Sequence, residues 1–145
     1  MINFSLFTYR MKHKSQFGFS LIEIMITVSI IAILMSIGIP AYNNYVTRTH
    51  RHITQAILLE NAQWLERYYA TNNTYLGATI PFPVSPKNAD GTAVRYNISF
   101  VPGSLTTTAY VLQATEANNQ ISDACDTLTF SNTGLQTPTT AGCWQ

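Results

Sequence analysis

The chain has 145 residues, 46% of them hydrophobic and 10% charged, with a formal net charge of +1 and a mean hydropathy of +0.06. These averages exclude a disordered polyelectrolyte, a strongly basic nucleic-acid module and a multi-domain enzyme. They also conceal an uneven distribution: residues 1–18 carry Arg10, Lys12 and Lys14 with no acid, whereas residues 19–145 sum to −2.

Residues 19–39 hold 15 apolar residues out of 21 and a single charge, Glu23. As a helix rising ~1.5 Å per residue, the segment spans roughly 31 Å, about the thickness of a bilayer's hydrocarbon core. Thr27, Ser29 and Ser36 can bond back to helical carbonyls and so are tolerated in lipid. The basic block just before the segment places the N-terminus on the cytoplasmic side and everything after Pro40 outside. The sequence after the apolar run, Ser36-Ile37-Gly38-Ile39-Pro40, is a poor small-residue cleavage site, so the helix reads as retained rather than as a secretory signal peptide. A carboxylate at membrane depth costs ~2.5–3.5 kcal/mol on insertion scales, which marks Glu23 as paired or functional. Pro40 ends the apolar run; inside a continuing helix it removes one backbone bond and introduces a kink.

From residue 41 to about residue 72 the pattern predicts an amphipathic helix. Tyr42, Val46, Thr49, Ile53, Ile57, Trp64 and Tyr68 recur at mostly helical steps, with Asn44, Arg48, Arg51, Gln55 and Gln63 on other faces. Asn72, Asn73, Thr74 and Gly77 end it, and the Pro- and Gly-rich stretch 73–92 reads as a connecting loop. Val94, Tyr96, Ile98 and Phe100 alternate with polar residues as a half-buried strand. Tyr110, Leu112 and Ala114 mark a second, Leu128 and Phe130 a third, and Leu135-Gln136-Thr137 a fourth. Short turns between consecutive strands imply an antiparallel sheet. The predicted fold class is α+β, with a long N-terminal helix packed on a small antiparallel sheet.

Topology places Cys125 and Cys143 outside the cytoplasm, where a disulfide persists. Such a bond would contribute ~3 kcal/mol in the chain-entropy model; two free thiols or a metal pair are the alternatives. No hydrolase elbow, zincin, P-loop or dinucleotide fingerprint occurs, so no enzyme, catalytic residue, cofactor or metal site is predicted. Arg48, His50, Arg51 and His52 form a local positive cluster. It reads as a solvated or subunit-contacting face, with anionic lipid headgroups or DNA as the competing partners. Asp90-Gly91 and the Asp123/Asp126 pair lack a full calcium loop and read as a turn and a solvated loop.

The junction Lys14-Ser15-Gln16-Phe17-Gly18-Phe19-Ser20-Leu21-Ile22-Glu23 closely resembles the class III signal of type IV pilins. The resemblance implies cleavage by prepilin peptidase between Gly18 and Phe19, and N-methylation of Phe19. It further implies that Glu23 neutralises the α-amino group of a neighbouring subunit's Phe19 during assembly, and that the helix can bend or melt at Pro40. A leader of eighteen residues is long for that family, and Met11 opens a leader of ordinary length. Glu66-Arg67-Tyr68-Tyr69, Tyr75-Leu76-Gly77-Ala78, the run from Cys125 to Phe130, Gly134 and Cys143-Trp144 resemble PilE-type minor pilins. The implied organisation is a pilin lollipop: leader 1–18, transmembrane and filament-core helix 19–39, helix continuation 40–72, and β domain 73–145 with a disulfide-closed C-terminal loop. Implied partners are other pilin subunits, prepilin peptidase, the inner-membrane assembly machinery and the membrane. The implied location is the inner membrane, with the C-terminal domain periplasmic, before assembly and the extracellular pilus after it. Adhesion, twitching and DNA uptake are the roles such a subunit supports. A DNA-binding competence pilin and a type II secretion pseudopilin are the alternatives.

Overall fold

The computed structural model describes residues 18–120 and 123–144; Arg10, Met11, Lys12 and Lys14 of the leader lie outside the described residues. Helix α1 (Leu21–Asn72) precedes five strands, β1 (Val84–Ser85), β2 (Tyr96–Phe100), β3 (Val111–Glu116), β4 (Leu128–Ser131) and β5 (Gln136–Thr137). The chain divides into two units at the Ile39–Pro40 junction.

In the first unit every large apolar side chain from Leu21 to Ile39 is exposed, and even the least exposed, Ile24 and Ile31, are 49% accessible. A helix that is apolar all round belongs in a core or in a membrane, and the described residues put no core around this one. Its hydroxyls are internally satisfied: Thr27 donates to the Ile24 carbonyl (2.8 Å), Ser29 to Met25 (2.7 Å) and Ser36 to Ile33 (2.7 Å). The helix continues through Pro40.

In the second unit the sheet is an antiparallel meander in the order β1-β2-β3-β4-β5. Register pairs Ile98 with Ala114 and Ala114 with Leu128, so one face collects Tyr96, Ile98, Leu112, Ala114 and Leu128. These close on Ile57, Leu58, Ala62 and Leu65 of α1, with Tyr75, Tyr110 and the disulfide in the same cluster. Each fully buried aliphatic side chain stabilises by roughly 1.5–3 kcal/mol. Asn73, at φ 53°, terminates α1; Asn tolerates this left-handed conformation better than other non-glycine residues.

Two predictions need correction. The loop 73–92 contains a strand: β1 pairs Val84 with Asn97 and Ser85 with Tyr96. Two residues flanked by prolines carry too little alternation to be read. The buried face of α1 is also rotated from the predicted stripe. Tyr42 and Ile53 are exposed and Trp64 and Tyr68 only half-buried, whereas Arg51, Thr54, Gln55 and Asn61 are buried. Arg51, Gln55 and Asn61 bond loop carbonyls and Thr54 the Ser85 hydroxyl of β1, so hydrophobicity alone does not mark the face.

Candidate functional site

The Gly18–Phe19 junction, where the sequence predicts processing, comes first in the chain. Gly18, Phe19 and Ser20 precede α1 and are exposed, Phe19 at 79%. The Ser20 carbonyl accepts the amides of Glu23 (3.1 Å) and Ile24 (3.2 Å). Glu23 lies in the first helical turn, where the helix dipole favours a negative charge. The junction is therefore an accessible dipeptide followed by a helix start that carries an acid.

The second site lies where α1 meets the two C-terminal loops. Arg51, 5% exposed, donates through Nε to Asp123 Oδ2 (2.9 Å), pairs through Nη2 with Oδ1, and donates through Nη1 to the Gly142 carbonyl (3.0 Å). Asp123 also accepts from the Tyr96 hydroxyl (2.7 Å), the Gln120 amide (3.0 Å) and the Cys125 backbone N–H (3.1 Å). Burial by itself would raise the Asp123 pKa. The hydrogen bonds from Arg51, Tyr96, Cys125 and Gln120 outweigh it and hold the carboxyl below its ordinary value. Burial and the Asp123 bond together push the Tyr96 hydroxyl up, so it stays a donor. Gln120 donates to the Thr47 carbonyl (3.0 Å) and Gln55 to the Cys143 carbonyl. Cys125 and Cys143 are joined in a disulfide with Cα atoms 5.5 Å apart. Gly142, at φ +83°, adopts the left-handed turn that aims its carbonyl at Arg51.

The predicted positive patch breaks up on this geometry. Arg51 is turned inward and neutralised by Asp123. His50 is lowered from its ordinary pKa, by burial first and by Arg95 second. His52 sits beside Gln55, Nδ1 to Oε1 at 3.4 Å. Arg48 stays exposed, its Nε on the Asn44 carbonyl of its own helix (3.4 Å), at the edge of a cleft of about 480 Å³ that also reaches the 140–143 turn. The physical reason is the 3.6-residue period: four neighbours in sequence cannot share one helix face. Asp123, likewise, is no solvated loop residue but the centre of the buried network. Sequence reasoning missed this role, and the only hint was an arginine inside an otherwise buried helical spacing. Among the described residues, no three His, Cys, Asp or Glu side chains come together as metal ligands. The arrangement locks loops together and offers no activated nucleophile.

Comparison with known proteins gives a consistent result. Residues 13–39 match the prokaryotic N-terminal methylation motif, and residues 40–129 match the family described as type IV minor pilin ComP, DNA uptake sequence receptor. The chain is 32% identical over 114 residues to the type IV major pilin protein PilE1 of Neisseria gonorrhoeae, covering 73% of this chain and 63% of that one. It is 35% identical over 94 residues to a fimbrial protein of Pseudomonas aeruginosa, covering 63% and 53%. The chain thus spans between half and two thirds of the length of these relatives. Among solved structures, a type IV pilin from Shewanella oneidensis superposes with a TM-score of 0.53 at 29% identity, covering 68% of this chain and 98% of the other.

Proposed function

Because the chain belongs to the type IV pilin family, in the branch of the minor pilin ComP, we propose that it is a structural subunit, a minor pilin, of a type IV pilus. The observation that carries this reading is the wholly exposed apolar surface of residues 21–39, directly behind the accessible Gly18–Phe19 pair. Such a surface is stable in lipid or among copies of itself, and assembly moves it from one to the other without exposing it to water. In this reading prepilin peptidase cuts after Gly18 on the cytoplasmic side and Phe19 is methylated. The domain after Pro40 faces the periplasm until assembly carries it to the cell surface. Glu23 pairs with the amino terminus of a neighbouring Phe19, and Pro40 lets the helix adapt in the filament. The role is structural rather than enzymatic.

N-terminal sequencing of the membrane-extracted protein is expected to begin at methyl-Phe19; a start elsewhere overturns the processing step. Replacing Glu23 with Ala is expected to leave the chain membrane-bound and to reduce its recovery in sheared pili; undiminished recovery overturns the pairing role.

DNA binding is the second reading, favoured by the description of the family matched over residues 40–129. Arg48, Arg67 and Arg95 have no acidic partner among the described residues and could contact phosphates. Retention of duplex DNA by the full chain in detergent, falling steeply with salt, is the expected result. No binding at low salt removes this reading and leaves the filament role standing.

A further inference from the structure

We propose that the cleft between α1 and the β4–β5 turn is a docking site for an arginine side chain of another protein chain. The cleft measures about 360 Å³ and lies in the second unit. Leu59, Ala62 and Phe130 give it apolar walls, and Leu59 remains 42% exposed at its rim. Glu66, exposed on α1, lines it. The Tyr75 hydroxyl donates to both Glu66 oxygens (3.0 and 2.9 Å) and the Tyr110 hydroxyl to Oε1 (3.1 Å).

Three observations point to a guanidinium. First, the carboxylate is held in place and yet lacks a cation. Among the described residues the ion pairs are Arg51–Asp123 and Lys87–Glu60, and neither involves Glu66. Burial, then the bond to Glu66, pushes Tyr75 up to about 12, so this donor is retained at any physiological pH. Second, the rim is rich in acceptors. Asn132 uses its amide N–H on the Thr108 carbonyl (3.2 Å), and its side-chain oxygen accepts no hydrogen bond among the described residues; Gln63 is exposed beside Glu66. A ligand carrying several donors in a plane matches such a rim. Third, the walls suit the rest of an arginine: the aliphatic stem lies along Leu59 and Ala62, and the planar head stacks against the Phe130 ring. The second unit holds five basic and six acidic residues, so its overall charge also favours a cationic partner. A phosphate backbone would meet the Glu66 charge and be repelled.

The test uses the full chain in detergent micelles and two capped pentapeptides, Gly-Gly-Arg-Gly-Gly and the same peptide with neutral citrulline at the centre. Binding is read from backbone amide NMR shifts. The arginine peptide is expected to shift Ala62 and Gly134. The citrulline peptide and Glu66→Gln are each expected to weaken binding about tenfold or more, as loss of a charge-assisted bond requires. Gln63→Arg places a guanidinium one helical turn from Glu66 on an exposed position and is expected to abolish peptide binding. It preserves Glu66 and its two tyrosine bonds, so it decides the matter even where Glu66→Gln disturbs the fold. Equal binding of the two peptides, undiminished binding to Gln63→Arg, no shifts at all, or shifts gathered at Asp90 and Asp126 each overturn the proposal.

Discussion

The two units of this chain answer the same physical problem in opposite ways. Residues 21–39 leave their apolar side chains exposed and satisfy their three hydroxyls within their own helix. Residues 40–145 bury an apolar core and set a second, polar layer around it, with Arg51 and Asp123 at its centre and both C-terminal loops attached. The first unit can exchange its surroundings, because its apolar side chains are already exposed. The second cannot, because its loops are held by specific long-range bonds. A subunit that passes from membrane to filament needs both properties in one molecule.

The largest effect should come from the buried pair. Arg51→Ala leaves Asp123 buried without its cation and is expected to cost about 3–5 kcal/mol, read from urea unfolding of the full chain in micelles by Trp64 and Trp144 fluorescence. The Arg51→Met, Asp123→Leu double variant should recover much of that loss; a single variant within 1 kcal/mol of wild type would show the pair to be dispensable.

Opening the disulfide in a Cys125→Ser, Cys143→Ser chain is expected to cost about 3 kcal/mol in the same measurement. The loss should fall on the second unit alone, since Gln55 and Arg51 both bond to the loop that Cys143 anchors.

A smaller effect distinguishes the polar layer from the apolar core. The Asp123 carboxyl titrates below its ordinary value in the folded chain. Its contribution is therefore complete above pH ~4 and fades as pH falls through the lower folded value. Acid unfolding should be steeper in the wild type than in the Arg51→Met, Asp123→Leu variant, and identical acid profiles would refute the assignment.

The smallest effect belongs to the first unit. Ile31→Ala should change unfolding of the second unit by less than about 0.5 kcal/mol, as for a site outside its packing. A larger shift would mean that the two units share stability.

Long-period features were readable without coordinates. The apolar run and the alternation of β2 and β3 are local patterns with one strong signal each, and the structure follows them. What failed were faces and partners. Ile53 is apolar yet 38% exposed, while Arg51, Gln55 and Asn61 are polar yet buried. Asn61 holds the Phe82 backbone through both its donor and its acceptor (2.9 and 3.1 Å), a bond across 21 residues that no periodicity announces.

By itself, the sequence determined the membrane-length helix, the antiparallel sheet and the class of the protein, because each rests on spacing within a few turns of chain. Only the tertiary structure decided which side of α1 meets the sheet and that Arg51 belongs to Asp123 rather than to a surface patch. It also decided that Glu66 stands fixed by two tyrosines without a cation among the described residues. Those outcomes depend on which loops close over which helix face, and charge or hydropathy at one position cannot specify a partner 72 residues away.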